Sequence, residues 1–135
     1  MKPLTHRCVL FCEHIRHEVG GRVSLLGVLG NRLFVQETPL VFPQFCLFVE
    51  WDEIDGEIPI TLQIVFADGS EPKNRPQALL KGHPGLVARS MVVLNNFAFP
   101  VPGPTTFRFL SGDRVIGETV LTIEKLAPAA STVAN

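Results

Sequence analysis

Apolar and polar residues alternate with a period of two along most of this chain. In "IPITLQIVFADG", Ile58, Ile60, Leu62, Ile64 and Phe66 fall on one side, while Thr61 and Gln63 fall on the other. Successive side chains of an extended strand point to opposite faces, so this segment predicts a strand with one buried and one wet face. Pro59 has no N–H to give to a ladder, which places that end of the strand at an edge or beside a bulge. "FCLFVEW" alternates in the same way: Phe45, Leu47, Val49 and Trp51 share one face, and Cys46, Phe48 and Glu50 the other. Trp51 is expected in the core. Toward the C-terminus, "TTFRFL" turns Phe107 and Phe109 inward and "SGDR" reads as a hairpin turn. Residues 115–124 then supply a last strand with Leu121 and Ile123 inward.

The N-terminal third follows the same logic. Gly20–Gly21 is a two-residue hairpin signal, because a type I′ turn needs positive φ at both central positions. It predicts residues 8–17 folded back on residues 22–35 as antiparallel neighbours. Gly27 and Gly30, inside the second of these runs, mark a bulge or a close backbone approach. Residues 86–95 form a β-branched-rich run, "FPVPGP" a rigid turn, and the long connection 68–85 is where a helical turn has room, around "PQALLKG". Nowhere do apolar residues hold a helical period for three turns. Short strands separated by turns, without αβ alternation, predict an all-β fold: an antiparallel β-sandwich of seven to eight strands. Residues 1–126 form the single domain, and the small, unpatterned tail 127–135 is expected to be flexible.

Composition narrows the function classes. Of 135 residues 46% are hydrophobic, enough for a core without disulfide or metal staples. Twelve basic residues face 13 acidic ones, and no basic run exceeds two residues, so a nucleic-acid partner is not expected. The N-terminus lacks the apolar core of a secretory signal, and no apolar run has the length of a membrane span. Three cysteines without an export signal predict reduced thiols in a cytoplasmic protein.

Candidate chemistry is sparse. "CVLFCEHIRH" gathers Cys8, Cys12, His14 and His17. On a strand Cys8 and Cys12 share a face but stand about 13 Å apart, too far for one ion or a disulfide. Cys12 and His14, about 7 Å apart, would share a metal only with ligands from elsewhere. The expected role of Cys8 and Cys12 is that of small buried hydrophobes, with Glu13, Arg16 and His17 as a polar tip able to touch a partner. "EWDEIDGE" offers Asp52, Asp55 and Glu57 as carboxylates for a hard cation. Its spacing does not match the twelve-residue Ca²⁺ loop, and a solvated acidic hairpin is the plainer expectation. The 68–85 connection carries Lys73, Arg75, Lys81 and His83, a possible cationic rim. There is no G-x-S-x-G, no H-E-x-x-H and no phosphate-cradling loop. Cys12 and Cys46, the candidates to pair with His14 or His83 as a nucleophile, lie in apolar runs where burial makes a thiol inert. No enzymatic activity and no cofactor are expected.

Three stretches, "CVLFCEHIRHEVGGRVSLLGVLGNRLF", the "FP" of Phe42–Pro43 and "FAFPVPGPTTFRFLSGDRVIGETVLTI", together resemble a bacterial family of small proteins known as a domain of unknown function. The family pattern has a tyrosine in its closing motif where this chain has Thr106–Phe107. The resemblance covers most of residues 7–125 and implies an immunoglobulin-like or C2-like β-sandwich. Its motifs are turns and core positions, so it carries over no catalytic residue. The expected function is a non-enzymatic protein-interaction or assembly module, binding a protein partner or its own copy. The alternative is a metal- or small-ligand-binding domain using Cys12 and His14 or the 52–57 loop.

Overall fold

The alternating segments pair into two sheets whose inward faces meet in one core. A computed structural model describes residues 6–52 and 54–127. In chain order the strands are β1 (His6–His17), β2 (Val23–Leu29), β3 (Arg32–Val35), β4 (Leu40–Trp51), β5 (Glu57–Val65), β6 (Gln77–Lys81), β7 (Ala88–Phe99), β8 (Gly103–Ser111) and β9 (Arg114–Lys125). One sheet runs β2-β1-β4-β7 and the other β3-β9-β8-β5-β6. The β-sandwich is as the alternation predicts, with nine strands among the described residues rather than seven or eight. Residues 128–135, most of the expected tail, lie outside the described residues.

The core is built by the alternating positions. Phe45, Leu47, Val49 and Trp51 of β4 meet Ile60, Leu62 and Ile64 of β5, Phe107 and Phe109 of β8, and Leu121 and Ile123 of β9, all buried. Phenylalanines dominate one end, where the Phe45 ring lies 5.7 Å from Phe11, 5.3 Å from Phe99 and 6.1 Å from Phe107. Offset and edge-on aromatic pairs at such separations contribute beyond their buried area. The Trp51 indole N–H donates to the buried Ser90 hydroxyl at 3.0 Å.

Three expectations change. First, residues 22–35 are not one strand. The chain leaves the four-stranded sheet at Gly30, and β3 joins the other sheet, parallel to β9. Second, β4 and β5 belong to different sheets, so the 52–57 loop is an inter-sheet crossover and not a solvated hairpin. Ile54 anchors it in the core, and the Gly82 N–H donates to the Gly56 carbonyl at 2.7 Å. A side chain at position 82 would collide with the Ile54 carbonyl, so glycine is required there by close approach. Third, "PQALLKG" is not helical. Leu80 is fully buried and Ala78 half-buried, an alternation that makes this β6, paired antiparallel to β5. Pro59 lies on the part of β5 that pairs with β6 only, since β8 joins the ladder from Thr61 onward.

The four-stranded sheet also changes face. On β4 the inward positions are odd from Phe45 to Trp51, yet Phe42 and Leu40 pack on the same core. On β7 they are even from Ala88 to Leu94, then odd at Phe97 and Phe99. The switch falls at Asn96, whose φ of 51° interrupts the extended backbone opposite Pro43 without shifting the register. A matching switch occurs where Gly27 (φ 66°) lies against Glu13 in the β1–β2 ladder. A residue in the left-handed region uses up one step of alternation, so beyond it the other set of side chains turns to the same face.

Candidate functional site

The switch at Glu13 and Gly27 decides what becomes of "CVLFCEHIRH". Up to Cys12, β1 pairs with β4; beyond it, among the described residues, β1 pairs with β2 alone. The remainder forms a two-stranded arm. Because the alternation has changed, Ile15, Val23 and Leu25 on this arm pack against Cys12, Cys46, Phe48 and Met91 on the outer face of the four-stranded sheet. The result is a second, smaller apolar cluster outside the sandwich core. It explains why both faces of β4 are buried from Phe45 to Val49.

At the centre of this cluster Cys12 stands directly opposite Cys46 on the neighbouring strand. Both are free and fully shielded from solvent. The two thiols act on each other's ionisation, as do the His14 backbone on Cys12 and the Ile15 backbone on Cys46. Burial pushes the Cys46 thiol up to about 11, with the adjacent Cys12 adding to the shift; burial also raises Cys12. Both are therefore neutral at physiological pH.

The proposed metal pairing of Cys12 with His14 does not assemble. Cys12 faces Cys46 beneath the arm, while exposed His14 hydrogen-bonds through Nδ1 to Gln44 Oε1 at 2.6 Å. Gln44 in turn donates to Asn95 at 3.3 Å, which makes a polar row across β1, β4 and β7. Cys8 lies opposite Glu50, away from the thiol pair. Asp55 and Glu57 are exposed on the inter-sheet crossover, with Asp52 half-buried beside the core anchor Ile54. Among the described residues no three or more Cys, His, Asp or Glu side chains converge as metal ligands.

The expected contact residues are dispersed. Glu13 sits against Gly27, and exposed His17 lies at the end of the arm. Arg16 pairs with Glu18 at 3.3 Å, while Glu18 also accepts from the Ser24 hydroxyl at 2.8 Å. Across the molecule, Lys73 is exposed, but Arg75 is held by Glu71 at 3.1 Å, and Glu71 accepts a bond from Gln63. These residues thus form two separate surfaces, and Arg75 is engaged within its own segment. An Asx turn, with the Ser70 N–H donating to Asp68 at 2.9 Å, orders the same connection.

The pairing of Cys12 with Cys46 is what reading the sequence did not find. The signal present was apolar residues on both faces of "FCLFVEW", since Cys46 and Phe48 occupy the face expected to be wet.

Fold and site together define a small two-sheet β-sandwich with a covered thiol pair on its outer face. The chain belongs to a family of unknown function (DUF6941), whose model matches residues 7–124. No curated protein matches it. Among solved structures it is similar to an immunoglobulin-like protein (PA1606) from Pseudomonas aeruginosa, at 12% identity and a TM-score of 0.44, covering 91% of this chain and 98% of that one. It is also similar to part of a β-glucuronidase from Bifidobacterium dentium, at 11% identity and a TM-score of 0.40, covering 91% of this chain and 18% of that one. A third likeness is to the Pseudomonas fluorescens alkylpurine DNA glycosylase AlkC, at 10% identity and a TM-score of 0.39, covering 86% of this chain and 30% of that one. Among the described residues no helix is long and apolar enough to cross a membrane.

Proposed function

We propose that this chain is a non-enzymatic assembly module that joins a second copy of itself through the open edge of its four-stranded sheet. The observation that carries this reading is β2. Among the described residues β1 is its sole hydrogen-bonded neighbour, which leaves a row of backbone donors and acceptors on its other side. The strand "VSLLGVL" contains no charged residue and no proline, two of the devices that protect a sheet edge. Leu26 and Val28 on it are 45% and 55% exposed.

The occupant follows from comparing edges. Like charges facing each other across a strand pair are destabilising, so a strand that pairs with its own copy is best left uncharged. The other edge strands carry Arg32 on β3, Lys81 on β6 and Arg89 on β7, and β6 also flanks β7. An antiparallel pairing of β2 with β2 about a two-fold axis at Leu26 sets Leu26 against its own copy and Ser24 against Val28. The bend at Gly27 keeps that ladder short, which fits a reversible association rather than an obligate one.

Light scattering on size-exclusion fractions over a wide concentration range tests this. The expected result is a concentration-dependent dimer that Val28→Lys returns to monomer, with the fold intact because Val28 is exposed. A wild-type chain that stays monomeric at the highest concentration contradicts the proposal.

A further inference from the structure

The thiol pair is more than two apolar fillers. Directly opposed residues on antiparallel strands hold their Cβ atoms about 4.5–5.5 Å apart, and a disulfide needs about 3.5–4.5 Å. Cys12 and Cys46 are directly opposed and buried in the same small cluster, so a modest approach of β1 toward β4 suffices to bond them. Cys8 has no such partner, since Glu50 stands opposite it.

The surroundings decide which chemistry this pair supports. Ile15, Phe48, Val23, Leu25 and Met91 enclose it. A monovalent soft metal held by two thiolates would leave a net negative charge in that apolar enclosure, which is costly without a partner. A disulfide leaves no charge. We propose that Cys12 and Cys46 are a latent disulfide site, oxidised by a small-molecule disulfide when the β1–β2 arm lifts.

The exchange balances in two steps. One protein thiol loses its proton to solvent and attacks the small disulfide, forming a mixed disulfide and releasing one small thiolate, which takes up a proton. The second protein thiol, likewise deprotonated, attacks the protein sulfur of the mixed disulfide and releases the second small thiol. Two electrons pass from Cys12 and Cys46 to the small disulfide; one S–S bond breaks, one forms, and two thiols leave. Access is set by the arm. Past Cys12 the arm has lost its ladder to β4 and is held to the sheet by the packing of Ile15, Val23 and Leu25 and by the exposed His14–Gln44 hydrogen bond. Lifting it exposes both sulfurs to solvent and removes the burial that keeps them protonated. The product fixes β1 to β4 at the root of the arm. This inference stands independently of the edge pairing proposed above.

The test uses the full chain, reduced and folded, incubated with oxidised glutathione at mildly alkaline pH. Intact mass, alkylation and peptide mapping then locate the oxidised residues. The expected product has lost two hydrogens, carries a Cys12–Cys46 link and keeps Cys8 free to alkylate. Leu25→Ala, which weakens the contact holding the arm, is expected to speed link formation about tenfold. Cys8→Ala is expected to leave it unchanged, which separates this pair from any reaction at Cys8. Two outcomes overturn the proposal: Cys12 and Cys46 remaining free in the folded chain while the denatured chain oxidises, or glutathione found only on Cys8.

Discussion

Cys46 shows how one position acquires a chemical character that its neighbours in sequence do not assign. Its thiol sits near 11 rather than at the ordinary 9.0, chiefly because burial disfavours the thiolate. Between those two values the unfolded chain has released the proton and the folded chain still holds it. The unfolded state is therefore the one stabilised by rising pH, and the stability of the fold declines between about pH 9 and about 11. Urea titrations at successive alkaline pH values are expected to show this decline, and Cys46→Ala is expected to flatten it. The chain contains no tyrosine, so no phenol titrates over the same range. The alternation of "FCLFVEW" located Cys46 on the face opposite the core, correctly. What covers that face was not legible, because the cover comes from residues some twenty to thirty positions earlier. For the same reason spacing along β1 could compare Cys12 with Cys8 and His14 but not with Cys46, which only the strand register brings opposite.

The β1–β2 hairpin carries the corresponding lesson for an element. The glycine pair does turn the chain, although the turn is wider than two residues: the Glu18 N–H donates to the Arg22 carbonyl at 2.7 Å, around Val19, Gly20 and Gly21. Gly27 was legible as a bulge or close approach, and it is the close approach: its φ is 66°, the Glu13 side chain lies 3.1 Å from where a Cβ would stand, and the β1–β2 register runs through it unshifted. Its consequence, the change of face that lays Ile15, Val23 and Leu25 over the thiols, depends on the tertiary path of the arm. Gly27→Ala is expected to destabilise the fold by about 1–2 kcal/mol, since an L-residue is strained in the left-handed region. Alkylation of Cys12 and Cys46 in the native state is expected to accelerate in the same variant. An unchanged alkylation rate would mean that Gly27 does not position the arm.

For the whole molecule, the two-sheet sandwich was legible because a period of two survives in β4, β5, β8 and β9 with large apolar residues on one side. Which strands share a sheet was not. The crossing of the chain at Gly30 and the placement of β6 depend on long-range pairing that leaves little local trace. The same topology leaves β2 as an uncharged edge, and on that edge the proposed assembly rests. Hydrogen exchange on the folded chain, compared at low and high protein concentration, tests this most directly. Amides of β2 pointing away from β1 are expected to gain protection at high concentration while the edges of β3, β6 and β7 do not. Protection of β2 that is independent of concentration, or a gain confined to another edge, would contradict it.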